Sequence, residues 1–328
     1  MYKKLLLFFI LPFSPLFLWS ASTHEETLPF TSYLFVYFGG EENSESIRFA
    51  VSKDGYSYKA LNNNQPVLDS RLISSTGGVR DPHILRCEDG KSFYMVATDM
   101  VAANGWDSNR GMVLLKSTNL IDWDVSCINI QTKYEGQEEL KRVWAPQTIY
   151  DKEAGKYMVY WSMKYGEGED IIYYAYANED FTDLEGIPQQ LFYPQNGKSC
   201  IDGDIIYKDG LYHLFYKTEG HGNGIKKAVS SSLTSGNWEE SPDYKQQTRK
   251  DVEGSCIFKL IDAGKYILMY DVYRNRNYEF VESTDLDTFQ LATDKFKLNF
   301  HPRHGTIIPI TQPEFERLVK KFGDNIEF

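Results

Sequence analysis

Cysteine is scarce in this chain: 328 residues hold four, Cys87, Cys127, Cys200 and Cys256. None of them stands at a metal-finger spacing, so no zinc module organises the fold. Positive charge is also short, with 35 Lys and Arg against 46 Asp and Glu, a net charge of −11. Such a surface repels phosphate backbones, which excludes nucleic acid as a natural partner and favours neutral ligands or cations. No Ser/Pro-rich or Gly/Ser-rich tract interrupts the sequence, so residues 23–328 read as one domain without a linker. The apolar stretch Leu5–Trp19 carries Pro12 and Pro15 and is short for a membrane span.

That stretch has a different use. Lys3 and Lys4 precede it and Ser20, Ala21 and Ser22 follow it, the order of a secretory signal peptide over residues 1–22. No Cys stands at its end to carry a lipid anchor. The expected product is a secreted or periplasmic protein with no stable membrane insertion once the leader is removed. Export permits disulfides. Cys200 and Cys256 lie near the starts of neighbouring repeats, but three full pairings are open, and four unpaired thiols are the equal alternative.

What the chain has in quantity is repetition. The segment RDPHIL, Arg80 to Leu85, returns as APQTIY from Ala145, DGDIIY from Asp202, EGSCIF from Glu253 and HGTIIP from His304, at intervals of 51 to 64 residues. This is the period of a β-propeller blade with variable loops. The first four copies are each followed by a turn and an aromatic alternating run, such as DGKSFYMVAT or AGKYMVYWSM, which reads as a hairpin. A third strand and a short fourth complete each unit. The copy from His304 has no chain left to finish it, and YLFVYF (33–38), IRFAVS (47–52) and YSYKAL (56–61) supply its missing strands. The expected fold is all-β: a five-bladed propeller closed between its C-terminal and N-terminal strands, which leaves no open sheet edge. One helix is expected, TQPEFERLVKKF, with Thr311 and Glu314 as a capping box and Phe315, Leu318, Val319 and Phe322 on one face.

Equivalent positions of a propeller converge on one end of its axis. The lead positions hold Asp81, Ala145, Asp202, Glu253 and His304, so three carboxylates share one mouth. Any one of them is an ordinary turn residue. Three at matching positions are better read as chemistry, because glycoside hydrolysis needs one carboxyl as acid and another as base. Two charges about 6 Å apart at an effective dielectric of about 20 repel by roughly 2.8 kcal/mol, enough to keep one carboxyl protonated near neutral pH. Trp144 beside the mouth and Trp106 on the long loop Gly105–Met112 offer faces for a sugar ring. Arg303 is a donor for hydroxyls, and His221 on the Gly-rich loop Glu219–Lys227 is a candidate ligand contact.

RDPHI (80–84), VWAPQ (143–147), CIDGDII (200–206), VEGS (252–255) and RHGTIIPIT (303–311) together resemble the successive blade motifs of glycoside hydrolase family 43. The resemblance covers residues 33–311 and implies an inverting glycosidase acting on terminal or side-chain sugars of plant-type oligo- and polysaccharides, of α-L-arabinofuranosidase or β-xylosidase type. It implies Asp81 as general base, Glu253 as general acid, and Asp202 as the residue that raises the acid's pKa. It also implies that His304 helps hold a calcium ion in the axial channel, with no organic cofactor. Asp202 departs from the family pattern in being followed by Gly203 rather than Pro, and Asp204 is a second candidate. Alternatives are a galactoside- or fructoside-cleaving relative and a propeller that binds carbohydrate without cleaving it. Oligomeric state is not legible.

Overall fold

The computed structural model describes residues 28–39, 45–220, 222–249 and 251–323. The leader expected over residues 1–22 and the candidate contact His221 lie outside them. Five sheets stand around one axis. The first blade comprises Val79–Arg86, Phe93–Asp99, Gly111–Ser117 and Asp124–Asn129. The second comprises Leu140–Asp151, Lys156–Tyr165, Ile171–Ala177 and Leu184–Phe192. The third runs from Cys200–Lys208 through Leu211–Thr218 and Ile225–Ser230 to Glu239–Glu240, and the fourth from Glu253–Lys259 through Tyr266–Val272 and Asn277–Ser283 to Gln290–Leu291. All these neighbours pair antiparallel.

The fifth blade closes the ring as the repeat count requires. Pro302–Thr311 is its inner strand and pairs antiparallel with Phe30–Gly39, which is followed by Ile47–Ser52 and Ser57–Ala60. A further short strand, Lys297–Leu298, adds in parallel to Ser57–Tyr58 and covers the outer edge. The five inner strands touch one another in sequence around the axis, the last returning to the first.

Stability comes from the faces between blades. Five apolar clusters are each shared by two neighbouring blades; Trp161, Val96 and Leu114 pack between the first and second, and Tyr216, Tyr160 and Leu214 between the second and third. Each fully buried side chain of this size contributes roughly 1.5–3 kcal/mol. The helix Gln312–Phe322 forms as expected, with Thr311 N donating to Glu314 Oε2 at 2.8 Å. Phe315 and Leu318 enter the cluster between the fifth and first blades, and Glu314 also pairs with Arg86 at 2.7 Å. Two single-turn helices that the sequence did not announce, Ser70–Ile73 and Ile130–Lys133, sit between strands. No described helix is long and apolar enough to cross a membrane. All four cysteines are unpaired, and Cys87, Cys200 and Cys256 are buried.

Candidate active site

Each inner strand begins with a bulge, and the bulge is what aims the site. Between Arg80 and His83, Trp144 and Gln147, Ile201 and Asp204, and Glu253 and Cys256, two residues oppose one on the neighbouring strand. The first bulge residue is left-handed in every case: Asp81 at φ 50°, Ala145 at 46°, Asp202 at 51° and Gly254 at 63°. A bulge of this kind turns a side chain out of the alternation and towards the axis. This corrects the repeat alignment in the fourth blade. Glu253 matches Arg80, Trp144 and Ile201, one position before the bulge, while Gly254 is the true counterpart of Asp81 and Asp202. Glycine is required there, since a Cβ on Gly254 would stand 2.4 Å from His304 Cδ2.

Asp81, Asp202, Glu253 and His304 nevertheless meet at one mouth, together with Arg80, Met100, Trp106, Trp144 and Ile201, around a cavity open to solvent. His304 lies between two carboxylates. Its Nδ1 is 2.9 Å from Asp81 Oδ1 and its Nε2 3.3 Å from Glu253 Oε1. Thr98 Oγ1 donates to Asp81 Oδ2 at 2.8 Å, and Arg303 Nη2 to Glu253 Oε1 at 2.8 Å. Asp202 Oδ2 accepts from the Gly254 amide at 2.9 Å, which ties the third blade to the fourth.

These contacts set the charges. Burial pushes the Asp81 carboxyl up, but the hydrogen bond and charge of His304, with Arg80 and Thr98, outweigh it and hold Asp81 at about 2. Burial works against Glu253 as well and is overcome by His304, Lys217 and Arg303, which hold it at about 2. Burial disfavours charge on His304, yet Asp81, Glu253 and Asp202 raise it to about 10. Asp202 goes the other way. Burial, reinforced by Glu253 and Asp81 against the pull of His304 and Lys217, lifts it to about 6. The resemblance implied Glu253 as general acid with Asp202 raising its pKa; in the ligand-free site three cations hold the Glu253 carboxyl down while burial holds Asp202 up.

The remaining candidates divide. Trp106 and Trp144 both line the mouth and meet edge to face at 6.1 Å. Arg303 is committed to Glu253 and to Asp271, whose Oδ2 accepts from Arg303 Nε. Asp204 lies outside the mouth, accepts from the Ile257 amide at 2.6 Å and is raised to about 7 by burial, so Asp202 is the carboxylate that faces Glu253. Two residues escaped the sequence reading. Lys217, 2% exposed, stands 3.9 Å from Glu253 Oε2, and Asp271 is buried beneath Arg303. Both sit on second strands, opposite Ile201 and Glu253, at the position that Thr98 and Ser162 hold in the first two blades. A polar residue at the same place in four aromatic runs was the available signal.

Asp202, Glu253 and His304 can each bring one donor atom within 4.8 Å of the others, the converging group of three found among the described residues. Two carboxylates and an imidazole that has surrendered its proton could hold a divalent cation.

Fold and site together define a five-bladed propeller with an acid-lined axial mouth. Residues 28–316 match the model of a family described as a probable glycosyl hydrolase domain, related to glycosyl hydrolase family 43, and the chain belongs to that family. Over 221 residues it is 27% identical to an α-L-arabinofuranosidase of Bifidobacterium longum subsp. longum, covering 59% of this chain and 20% of that protein. The chain thus spans about a fifth of the curated relative it matches. Among solved structures, a xylan β-1,4-xylosidase from Bacillus halodurans shares the fold with a TM-score of 0.58 at 15% identity, over 86% of this chain and 58% of that one. An α-L-arabinofuranosidase from Clostridium thermocellum gives 0.56 at 13% identity, over 80% and 90%.

Proposed function

We propose that the protein is an exported inverting glycoside hydrolase that removes terminal or side-chain sugars from plant-type polysaccharides, acting as an α-L-arabinofuranosidase or β-xylosidase. One observation carries this reading. Asp81 and Glu253 occupy opposite sides of a single imidazole. An imidazole thus stands between the two carboxylates, and a pair held apart in this way leaves room for the water that an inverting reaction places between its base and the sugar.

Asp81, held ionised, activates the water as general base. Glu253 delivers the proton to the leaving oxygen, and Asp202, whose own carboxyl burial lifts to about 6, raises the acid's pKa and holds it in place. For Glu253 to take up that proton its cations must loosen, and sugar hydroxyls that draw away the Arg303 donors would do this. Trp106 and Trp144 provide the apolar wall against which the ring stacks.

Export is supported by Lys3, Lys4, the apolar stretch Leu5–Trp19 and the small residues 20–22; N-terminal sequencing of the secreted protein tests it. Calcium is the proposed ion, held in the axial channel with the help of His304, where it would add positive charge near the carboxylates. Its test is a fall in melting temperature on chelation, with one equivalent of metal by elemental analysis.

The deciding experiment is hydrolysis of aryl α-L-arabinofuranoside, β-D-xyloside and β-D-galactoside by the mature protein and by Glu253→Gln, with the anomer of the first product read by NMR. An inverted anomer, lost in the variant, is expected. A retained anomer would overturn the roles of Asp81 and Glu253.

A further inference from the structure

Arg80 helps to keep Asp81 ionised, and it is also built as a fixed donor. It lines the mouth next to Asp81 and is nearly buried. Its guanidinium lies over two aromatic rings, 4.6 Å from the Phe38 ring centre and 5.3 Å from that of Trp106. Nη1 donates to Glu45 Oε1 at 3.3 Å. Glu45 is itself anchored: the same oxygen accepts from the Ala102 amide at 3.1 Å, and its carbonyl accepts from Val79 N and Ser70 Oγ at 2.9 Å each.

A guanidinium carries five N–H donors. Glu45 is the hydrogen-bond acceptor that Arg80 meets among the described residues, which leaves donors of a guanidinium lining the cavity for a ligand there. The aromatic faces fix the plane of the group and Glu45 fixes its rotation, so little freedom is left to lose on binding.

The charges around it define the ligand. Glu45 and Asp81 together offset the charge on Arg80, and Asp202 and Glu253 line the same cavity. The site therefore offers hydrogen-bond donors without offering net positive charge, and it would repel the carboxylate of a uronic acid. We propose that Arg80 reads hydroxyl groups of a neutral sugar in the mouth, and that Glu45 is the positioning residue that holds it there. This deepens the glycosidase reading and rests on it for the ligand being a sugar.

The test separates binding from hydrolysis. Binding of free L-arabinose, D-xylose and their monodeoxy analogues is followed by ligand-detected NMR for the wild type, Arg80→Ala and Glu45→Gln, beside the aryl glycoside assay. The parent sugar should bind Arg80→Ala at least tenfold more weakly. One deoxy analogue should bind the wild type equally weakly and lose nothing more in the variant. Glu45→Gln, which keeps the fold and the guanidinium, should fall between. Equal further losses for every analogue in Arg80→Ala would make the effect structural and overturn the assignment, as would unchanged affinity, or failure of the wild type to bind either parent sugar. Binding with this pattern but no hydrolysis would sustain the Arg80 assignment and sink the enzymatic one.

Discussion

Replacing His304 with Gln removes the one cation that stands between Asp81 and Glu253, and the structure sets the size of the effect. The imidazole contacts both carboxylates, at 2.9 and 3.3 Å, and all three side chains are largely buried. Removing one partner of a buried ion pair costs roughly 3–5 kcal/mol. The rise of His304 from its ordinary 6.5 to about 10 caps the interaction at about 5 kcal/mol at 1.36 kcal/mol per pH unit, so the two routes agree. With an unfolding entropy of about 2.1 cal/mol/K per residue over some 300 residues, the loss corresponds to roughly 5–8 °C in melting temperature.

The pH dependence is sharper than the magnitude. In the wild type the His304 contribution is complete below its unfolded pKa near 6.5 and is lost as pH rises through about 10. The contributions of Asp81 and Glu253 are complete above their unfolded values near 4 and are lost as pH falls through about 2. Between about pH 4.5 and 6.5 these three groups keep their charges in the wild type, and the buried Asp202 carboxyl is the neighbour that titrates, near 6. In His304→Gln, Asp81 loses its imidazolium and Glu253 keeps only Arg303 and Lys217, so acidification lets a carboxyl take up a proton more readily than in the wild type. The gap in melting temperature should be widest near pH 6.5 and narrow towards pH 4.5. Differential scanning fluorimetry at the two pH values checks it; a gap that stays constant, or one under 2 °C at pH 6.5, would refute the charge assignment.

Asp81→Asn should lower kcat by about 10²–10⁴ on any cleaved glycoside, the range of a lost general base, and a rate within tenfold of the wild type would remove Asp81 from the mechanism. Gly254→Ala places a methyl group 2.4 Å from the His304 ring at a left-handed φ, so thermal denaturation should show a clear loss of stability, about 1–3 kcal/mol; an unchanged melting temperature would contradict the bulge geometry. In thiol titration of the native protein Cys127 alone should react promptly, with four thiols appearing on denaturation without reductant; fewer than four would reveal a disulfide.

Some features were legible because they are properties of spacing. The return of RDPHIL at blade intervals and the shortage of strands after His304 required the pairing of Pro302–Thr311 with Phe30–Gly39. The capping box and apolar stripe that mark Gln312–Phe322 are equally local. The position of Glu253 was misjudged by one because a bulge is a backbone event: EGS and DGD look alike as strings, while the left-handed residue is the glycine in one and the aspartate in the other. Lys217 and Asp271 were missed because they belong to the second strands, whose aromatic runs read as core.

The sequence by itself determined the repeat, the ring closure and the set of carboxylates offered to the axis, since each depends on periodicity and residue type along the chain. Only the tertiary structure decided how charge is disposed around those carboxylates. That depends on His304, Arg303 and Lys217 gathering around Glu253 while Asp202 is left buried beside two anions, and such an arrangement of charges exists only once blades distant in sequence share one low-dielectric mouth.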